Sequence, residues 1–203
     1  MPKKVDHDLR RRELAKATFG LISKSGLSGL TLTKVAKEVG FSIGAIAHYA
    51  HTRDDLLLLA GDYAVDVGTA LAEQTLKKYK GVEALRRLLY DTLPTTQLRS
   101  NAWLIWLDFC ERANAKKDPR MRAILLERHK GYTKWFVDRI ESAKKAGEVS
   151  PDIDAARMAQ NALALVEGIG VMILVRGHSF SAKAQRGMID DWIAGMLRPM
   201  PGS

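Results

Sequence analysis

The chain has 203 residues, 46% hydrophobic and 7% aromatic, and a formal net charge of +9. That length holds one large domain or two small ones, and the single cysteine, Cys110, excludes an intrachain disulfide and a multi-cysteine metal site and points to a reducing compartment. The positive balance suits a polyanionic partner: residues 1–55 hold ten Lys/Arg against six Asp/Glu and residues 56–203 hold 22 against 17, so the excess per residue is greater at the front.

The opening MPKKVDHDLRRRE lacks the apolar stretch of a signal peptide. The longest apolar run, Ala162 to Val175, is broken by Glu167 and too short to span a bilayer. The expectation is a cytoplasmic chain with no membrane partner. A first helix is predicted from about Asp8 to Lys24, with Leu14, Ala17, Thr18, Leu21 and Ile22 on one face and Gly26 closing it.

The organising stretch follows, TLTKVAKEVGFSIGAIAHYAHTRDD, from Thr31 to Asp55. Val35, Ala36 and Val39 sit at helical spacing, with Thr31 or Thr33 as cap. Gly40 ends that helix cheaply in the left-handed conformation. Ser42 then caps a second segment whose apolar stripe runs through Ile46 and Tyr49. A small residue, a turn glycine and apolar residues at these offsets are what a helix-turn-helix requires. The second segment would expose Ile43, Ala45, Ala47 and His48, short side chains that let a backbone sit deep in a major groove. Thr52 with Asp55 three residues on forms a capping box for the next helix.

The run Thr31, Val35, Ala36, Gly40, Phe41, Ser42, Gly44, Ile46, Tyr49, Arg53, Leu56, Leu57 resembles the signature of TetR-family transcriptional regulators. AIAHYAHTRDDLL is most similar to the BetI-like branch. Three positions depart from it: Ala50 replaces a large residue, Arg53 a lysine, and Ala47 a frequent tyrosine. The resemblance implies a three-helix, homeodomain-like DNA-binding domain at residues 1–55 and a helical effector-binding and dimerisation domain at 56–203. It implies DNA contacts from Thr31, Thr33, Lys34, Ser42, Ile43, Ala45, His48, Tyr49 and Arg53. Of these, Tyr49, Arg53, Thr31 and Lys34 are assigned mainly to phosphates, and His48, Ile43, Ala45 and Thr33 to base edges.

One long helix is predicted from Thr52 to about Lys78, a mechanical link between domains, with Leu56, Leu59, Ala60, Tyr63, Val67, Ala70, Leu71 and Gln74 at helical spacing. Further helices are predicted over Gly81–Leu93, Arg99–Ala115, and from Asp118-Pro119 to about Ala146 with Gly147 as terminator. Pro151 and Asp152 would begin the next, whose interior AQNALALVEGIGVMILV is apolar on nearly all sides; a buried strand over Val171–Val175 is the alternative, with no partner strand in view. The last spans Ala182 to Leu197. A helix with no polar face must be covered on two sides, so the two final helices are expected to pair with a second copy in a four-helix interface through Leu163, Val166, Gly170, Ile173, Met188, Trp192 and Met196.

A single helix-turn-helix touches few bases, and a homodimer on a near-palindromic double-stranded operator supplies the rest. Trp103, Trp106, Phe109, Cys110, Tyr132, Phe136 and Glu167 are candidates to line an effector cavity. Its occupant is apolar or, as the BetI-like resemblance implies, a quaternary ammonium ion in an aromatic cage. No catalytic motif, cofactor fingerprint or metal-ligand spacing is present; the scattered histidines include His178. The acidic pairs Asp54-Asp55 and Asp190-Asp191 read as helix starts. The expected chain is all-α, a ligand-responsive regulator and most simply a repressor. Its rival is a helical ligand carrier without salt-sensitive affinity for DNA.

Overall fold

The computed structural model describes residues 7–115, 119–176 and 179–197, and among them the secondary structure is helical throughout. The helices are α1 His7–Ser25, α2 Leu32–Val39, α3 Ile43–Ile46, α4 Arg53–Lys78, α5 Gly81–Thr92, α6 Gln97–Ala115, α7 Pro119–Lys145, α8 Ala155–Arg176 and α9 Ala182–Leu197. Val171–Val175 belongs to α8, so the strand alternative does not hold. Asp118 and His178 lie outside the described residues, as do residues 1–6 of the N-terminal segment.

The chain divides into two compact units, one of Met1–Thr69 with Ser100–Asp108, the other of Ala70–Arg99 with Phe109–Ser203. In the first, α1 buries Leu14, Ala15, Thr18, Phe19, Leu21 and Ile22. Thr18 is tolerated there because its hydroxyl donates to the Leu14 carbonyl one turn back, at 2.7 Å. Phe19 meets Tyr63 of α4 with ring centroids 5.5 Å apart. The fully buried Val35, Ile46, Leu56 and Leu57 complete this core.

In the second unit α5 packs on α7, α8 and α9, and α7 on α8. Leu85, Leu89, Phe136, Ile140, Ala159, Ile169, Ile189 and Ile193 are buried between them. Gly147 ends α7 at φ 70°, its N–H donating to the Lys144 carbonyl and that of Glu148 to the Ala143 carbonyl, which is the Schellman arrangement. Thr75, Asp91, Arg99 and Thr95 form one polar network joining the end of α4, the end of α5 and the start of α6.

Four expectations are corrected. α8 starts at Ala155 and not at Pro151-Asp152, because the Asp154 carboxylate caps it, accepting from the N–H groups of Ala156 and Arg157 at 3.1 Å each. Asp190 and Asp191 lie mid-way along α9; Asp190 is held there by Arg86 and by the Tyr90 hydroxyl, both from α5. On α4, Ala70 and Gln74 are exposed and Ala72 is buried, so the apolar stripe is rotated at its C-terminal half. The second segment of the helix-turn-helix is α-helical for a single turn, Ile43–Ile46. Beyond it the backbone tightens, with the Tyr49 N–H donating to the Ile46 carbonyl three residues back. Gly44 inside so short a segment gives the helix little propensity to continue.

Candidate functional site

Helix α2 is capped by Thr31, which sits in extended conformation and accepts from the Lys34 N–H at 3.2 Å. Gly40 closes α2 at φ 69°, and the N–H groups of Gly40 and Phe41 both donate to the Ala36 carbonyl. That reversal delivers Ser42, whose hydroxyl accepts from the Ala45 N–H at 3.1 Å and caps α3. The capping box forms as its spacing predicts: Thr52 Oγ1 accepts from the Asp55 N–H, and Asp55 Oδ2 accepts from the Thr52 N–H. Underneath, Val35, Ala36, Ile46 and Ala50 are buried. The outer surface is left with Thr31, Thr33, Lys34, Ser42, Ile43 and His48 exposed, and Ala45, Ala47, Tyr49 and Arg53 half-buried. Ile43 is half exposed, which is unusual for so apolar a side chain in the centre of a polar surface.

Several contacts here had no sequence signal. The Tyr49 hydroxyl and His7 Nδ1 are hydrogen-bonded at 3.0 Å, tying the segment after α3 to the start of α1. Arg10 lies over the Phe41 ring, 4.6 Å from its centroid. Arg53 Nη2 donates to the Leu27 carbonyl at 2.8 Å, and Lys34 Nζ to the Gly29 carbonyl at 3.0 Å. Asn101 of α6, buried, donates to Ser23 of α1.

The effector candidates are distributed over both units. Trp103 and Trp106 are half-buried in the first. In the second, Phe109 and Phe136 are fully buried, while Cys110, Tyr132 and Glu167 are half-buried. Tyr132 packs edge-on against Trp135 at 5.8 Å. The Arg128 guanidinium lies 5.5 Å from the Phe109 ring centroid. Burial pushes the Tyr132 phenol above its ordinary range, partly countered by the Arg128 charge. Burial, and then the Glu167 carboxylate, push the Cys110 thiol up. Among the described residues no cluster of His, Cys, Asp or Glu is arranged to hold a metal.

Of the interface candidates, Leu163, Val166, Gly170 and Met196 are buried within the single chain, and Ile173, Met188 and Trp192 are half-buried. The outward row of α8 is Ala164, Gly168 and Val171; that of α9 includes Ala184, Asp191, Ala194 and Gly195. No helix among the described residues is long and apolar enough to cross a membrane.

An all-helical chain whose front unit carries a glycine-turned helix pair with an exposed, cation-bearing outer surface is a helix-turn-helix protein. Comparison with known proteins narrows the class. The sequence profile of the BetI-type transcriptional repressor, C-terminal region, matches residues 81–198. The chain is 27% identical to the HTH-type transcriptional regulator BetI of Burkholderia thailandensis over 201 residues, 98% of this chain and 99% of that one. It is 32% identical to the regulator PksA of Bacillus subtilis over 119 residues, 58% of each chain. Among solved structures, a transcriptional regulator from Saccharomonospora viridis in complex with choline aligns with TM-score 0.80 at 24% identity, covering 93% of this chain and 97% of that one. A TetR transcription regulator from Haloarcula marismortui aligns equally well, TM-score 0.80 at 20% identity, over 94% and 100% of the two chains. At those identities the structural likeness speaks for the fold. The chain belongs to the BetI-type family of TetR transcriptional regulators, and is a regulator and not an enzyme.

Proposed function

We propose that the protein is a repressor that binds a near-palindromic operator as a homodimer through α2 and α3 and leaves it when a small molecule occupies the helical second unit. The observation that carries this reading is the two-sided build of residues 31–49. Val35 and Ile46 fix the pair from beneath, while Thr33, Ile43 and His48 are exposed on the outer side. Thr31, Lys34, Tyr49 and Arg53 take phosphates; Thr33, Ile43, Ala45 and His48 face base edges, with Ser42 holding the α3 backbone between them. The working division is residues 1–55 for DNA and 56–203 for effector and dimer, in the cytoplasm.

The interface in this reading is the outward row of α8 and α9, where Ala164, Gly168 and Gly195 let two backbones approach. Leu163, Val166 and Met196 support that row from inside. A two-fold pair then sets recognition segments about 34–36 Å apart, one turn of duplex. Phe109, Cys110, Tyr132, Phe136 and Glu167 of the second unit line the effector site. The occupant is apolar or a quaternary ammonium ion, and a cationic headgroup would sit by Glu167, whose carboxylate acts on the Cys110 thiol. Choline in the Saccharomonospora viridis structure is a precedent for a small cation in this fold.

The test is selection of bound fragments from random duplex DNA. The expected product is a two-fold symmetric site whose binding weakens steeply with salt. A helical ligand carrier would enrich no sequence and show no salt-dependent retention.

A further inference from the structure

The turn between α1 and α2, residues 26–30, is built with little tolerance. Gly26 takes φ 69°, Leu30 is fully buried, and the Leu30 N–H donates to the Leu27 carbonyl at 3.2 Å. Gly29 runs so close to the end of α1 that a Cβ there would lie 2.5 Å from Ser25 Oγ and 2.6 Å from the Ser25 carbonyl oxygen. Two cations from different helices converge on this turn. Lys34 Nζ, from α2, donates to the Gly29 carbonyl at 3.0 Å; Arg53 Nη2, from the first residue of α4, donates to the Leu27 carbonyl at 2.8 Å.

We infer that Lys34 and Arg53 are positioning residues of the DNA-binding unit: each uses one N–H to hold the α1–α2 turn and offers its remaining N–H groups to the phosphate backbone. The inference rests on the proposed DNA binding and gives those two residues a second task within it. A backbone carbonyl orients a cation without neutralising it. The neighbouring cations that meet carboxylates differ in this respect: Lys24 pairs with Glu38 at 2.6 Å and Arg11 with Asp62 at 3.3 Å, and an approaching phosphate would compete with a full negative charge. Lys34 and Arg53 stand aimed by these carbonyls before DNA arrives. The choice of residue at position 53 follows from geometry. A guanidinium is a planar fork of five donors, so one edge can stay on Leu27 while the other faces a phosphate. An ammonium at the same place also has spare donors, but they rotate about the end of a flexible stem, so it would hold Leu27 and a phosphate in a less fixed geometry. Arginine at position 53 therefore suits the double task.

The experiment compares full-length wild type with Arg53→Lys, Arg53→Ala and Lys34→Ala. One readout is amide hydrogen exchange at Leu30 in the free protein; the other is binding of a fluorescent random-sequence duplex across a salt series. In Arg53→Lys, Leu30 should exchange faster and the duplex should bind roughly tenfold more weakly, the equivalent of one charge-assisted hydrogen bond, with the salt slope unchanged because the charge is kept. Arg53→Ala and Lys34→Ala should each speed exchange and also make the slope shallower by about one. If Arg53→Lys matches wild type in exchange and in affinity, position 53 needs only a charge and the inference is overturned. Faster exchange with wild-type affinity keeps the clamp and removes its role in binding DNA. If no variant alters Leu30 exchange, the turn stands without the cations. Wild type that holds no duplex at any salt defeats the DNA reading itself, while the exchange arm still decides whether the turn is clamped.

Discussion

Gly168 separates a lone protomer from a pair, because a side chain there should act with opposite sign in the two. It lies in the middle of α8, exposed, and a Cβ added to it meets nothing within 4 Å. In a monomer, Gly168→Ala is therefore a plain gain in helix propensity of roughly 1 kcal/mol, worth about 2–4 °C of melting temperature for a chain of this size. In the proposed dimer the same position sits between Ala164 and Val171 on the row that faces the partner, and two-fold symmetry places every inserted group there twice. Gly168→Leu keeps most of the propensity gain yet forces two backbones apart. Overpacking of about 1.5 kcal/mol per copy makes roughly 3 kcal/mol per dimer, about a hundredfold in the dissociation constant. Sedimentation velocity over a dilution series, with melting curves on the same samples, reads both quantities. The expected result is a well-folded Gly168→Leu protein that is monomeric where wild type is dimeric and that binds a selected operator poorly. A Gly168→Leu protein that dimerises as tightly as wild type would refute the assignment of this face.

Other outcomes follow from local contacts. Gly81 takes φ 51° at the start of α5, and a Cβ there would overlap the Glu148 carboxylate, which accepts from the Val82 N–H at 2.6 Å and caps α5 from the end of α7. Gly81→Ala should lose roughly 3 kcal/mol, combining a left-handed alanine with a displaced cap. In a Glu148→Ala background only the backbone part, about 1–1.5 kcal/mol, should remain; equal losses in both backgrounds would show that the carboxylate is not the cause. Asn101→Ala removes the buried amide that meets Ser23 and should lower stability by about 1–3 kcal/mol in chemical denaturation. His48→Ala should change which sequences are selected from random duplex, whereas Arg53→Ala weakens binding to all of them. Cys110 has its thiol pKa raised by burial and by Glu167, so its contribution to stability is fully present below the ordinary thiol pKa and is lost as pH rises through the higher folded value. Glu167→Gln should lower that pKa and speed alkylation of Cys110 at fixed alkaline pH; an unchanged rate would place Glu167's charge elsewhere.

Much of the helix order was legible because its punctuation is local. Gly26, Gly40 and Gly147 end helices at positive φ, and Thr31, Ser42 and the Thr52–Asp55 box begin them, each through side chains or backbone within three or four residues. Two of the errors concern where an acidic residue finds its partner. Pro151-Asp152 reads as a helix start, but it is the Asp154 carboxylate, two residues on, that reaches two N–H groups and caps α8. Asp190-Asp191 looks like an acidic first turn until Arg86 and Tyr90 of α5, a hundred residues earlier in the chain, are brought against it.

The fold class and the helix-turn-helix were legible in the sequence, since apolar periodicity, caps and turn glycines are local to each helix and its ends, and the family came from the resemblance of the run from Thr31 to Leu57. Tertiary structure alone decided which side of each apolar helix is used inside the chain. Leu163 and Ala164 are adjacent apolar residues on a helix apolar on nearly all sides, and packing against other helices buries the first and leaves the second outward. The same holds at the front of the molecule, where Lys34 and Arg53 read as bare cations until the fold sets the carbonyls of Gly29 and Leu27 within reach. A backbone carbonyl has no letter in the sequence, so a contact made to one becomes visible only when the chain has closed on itself.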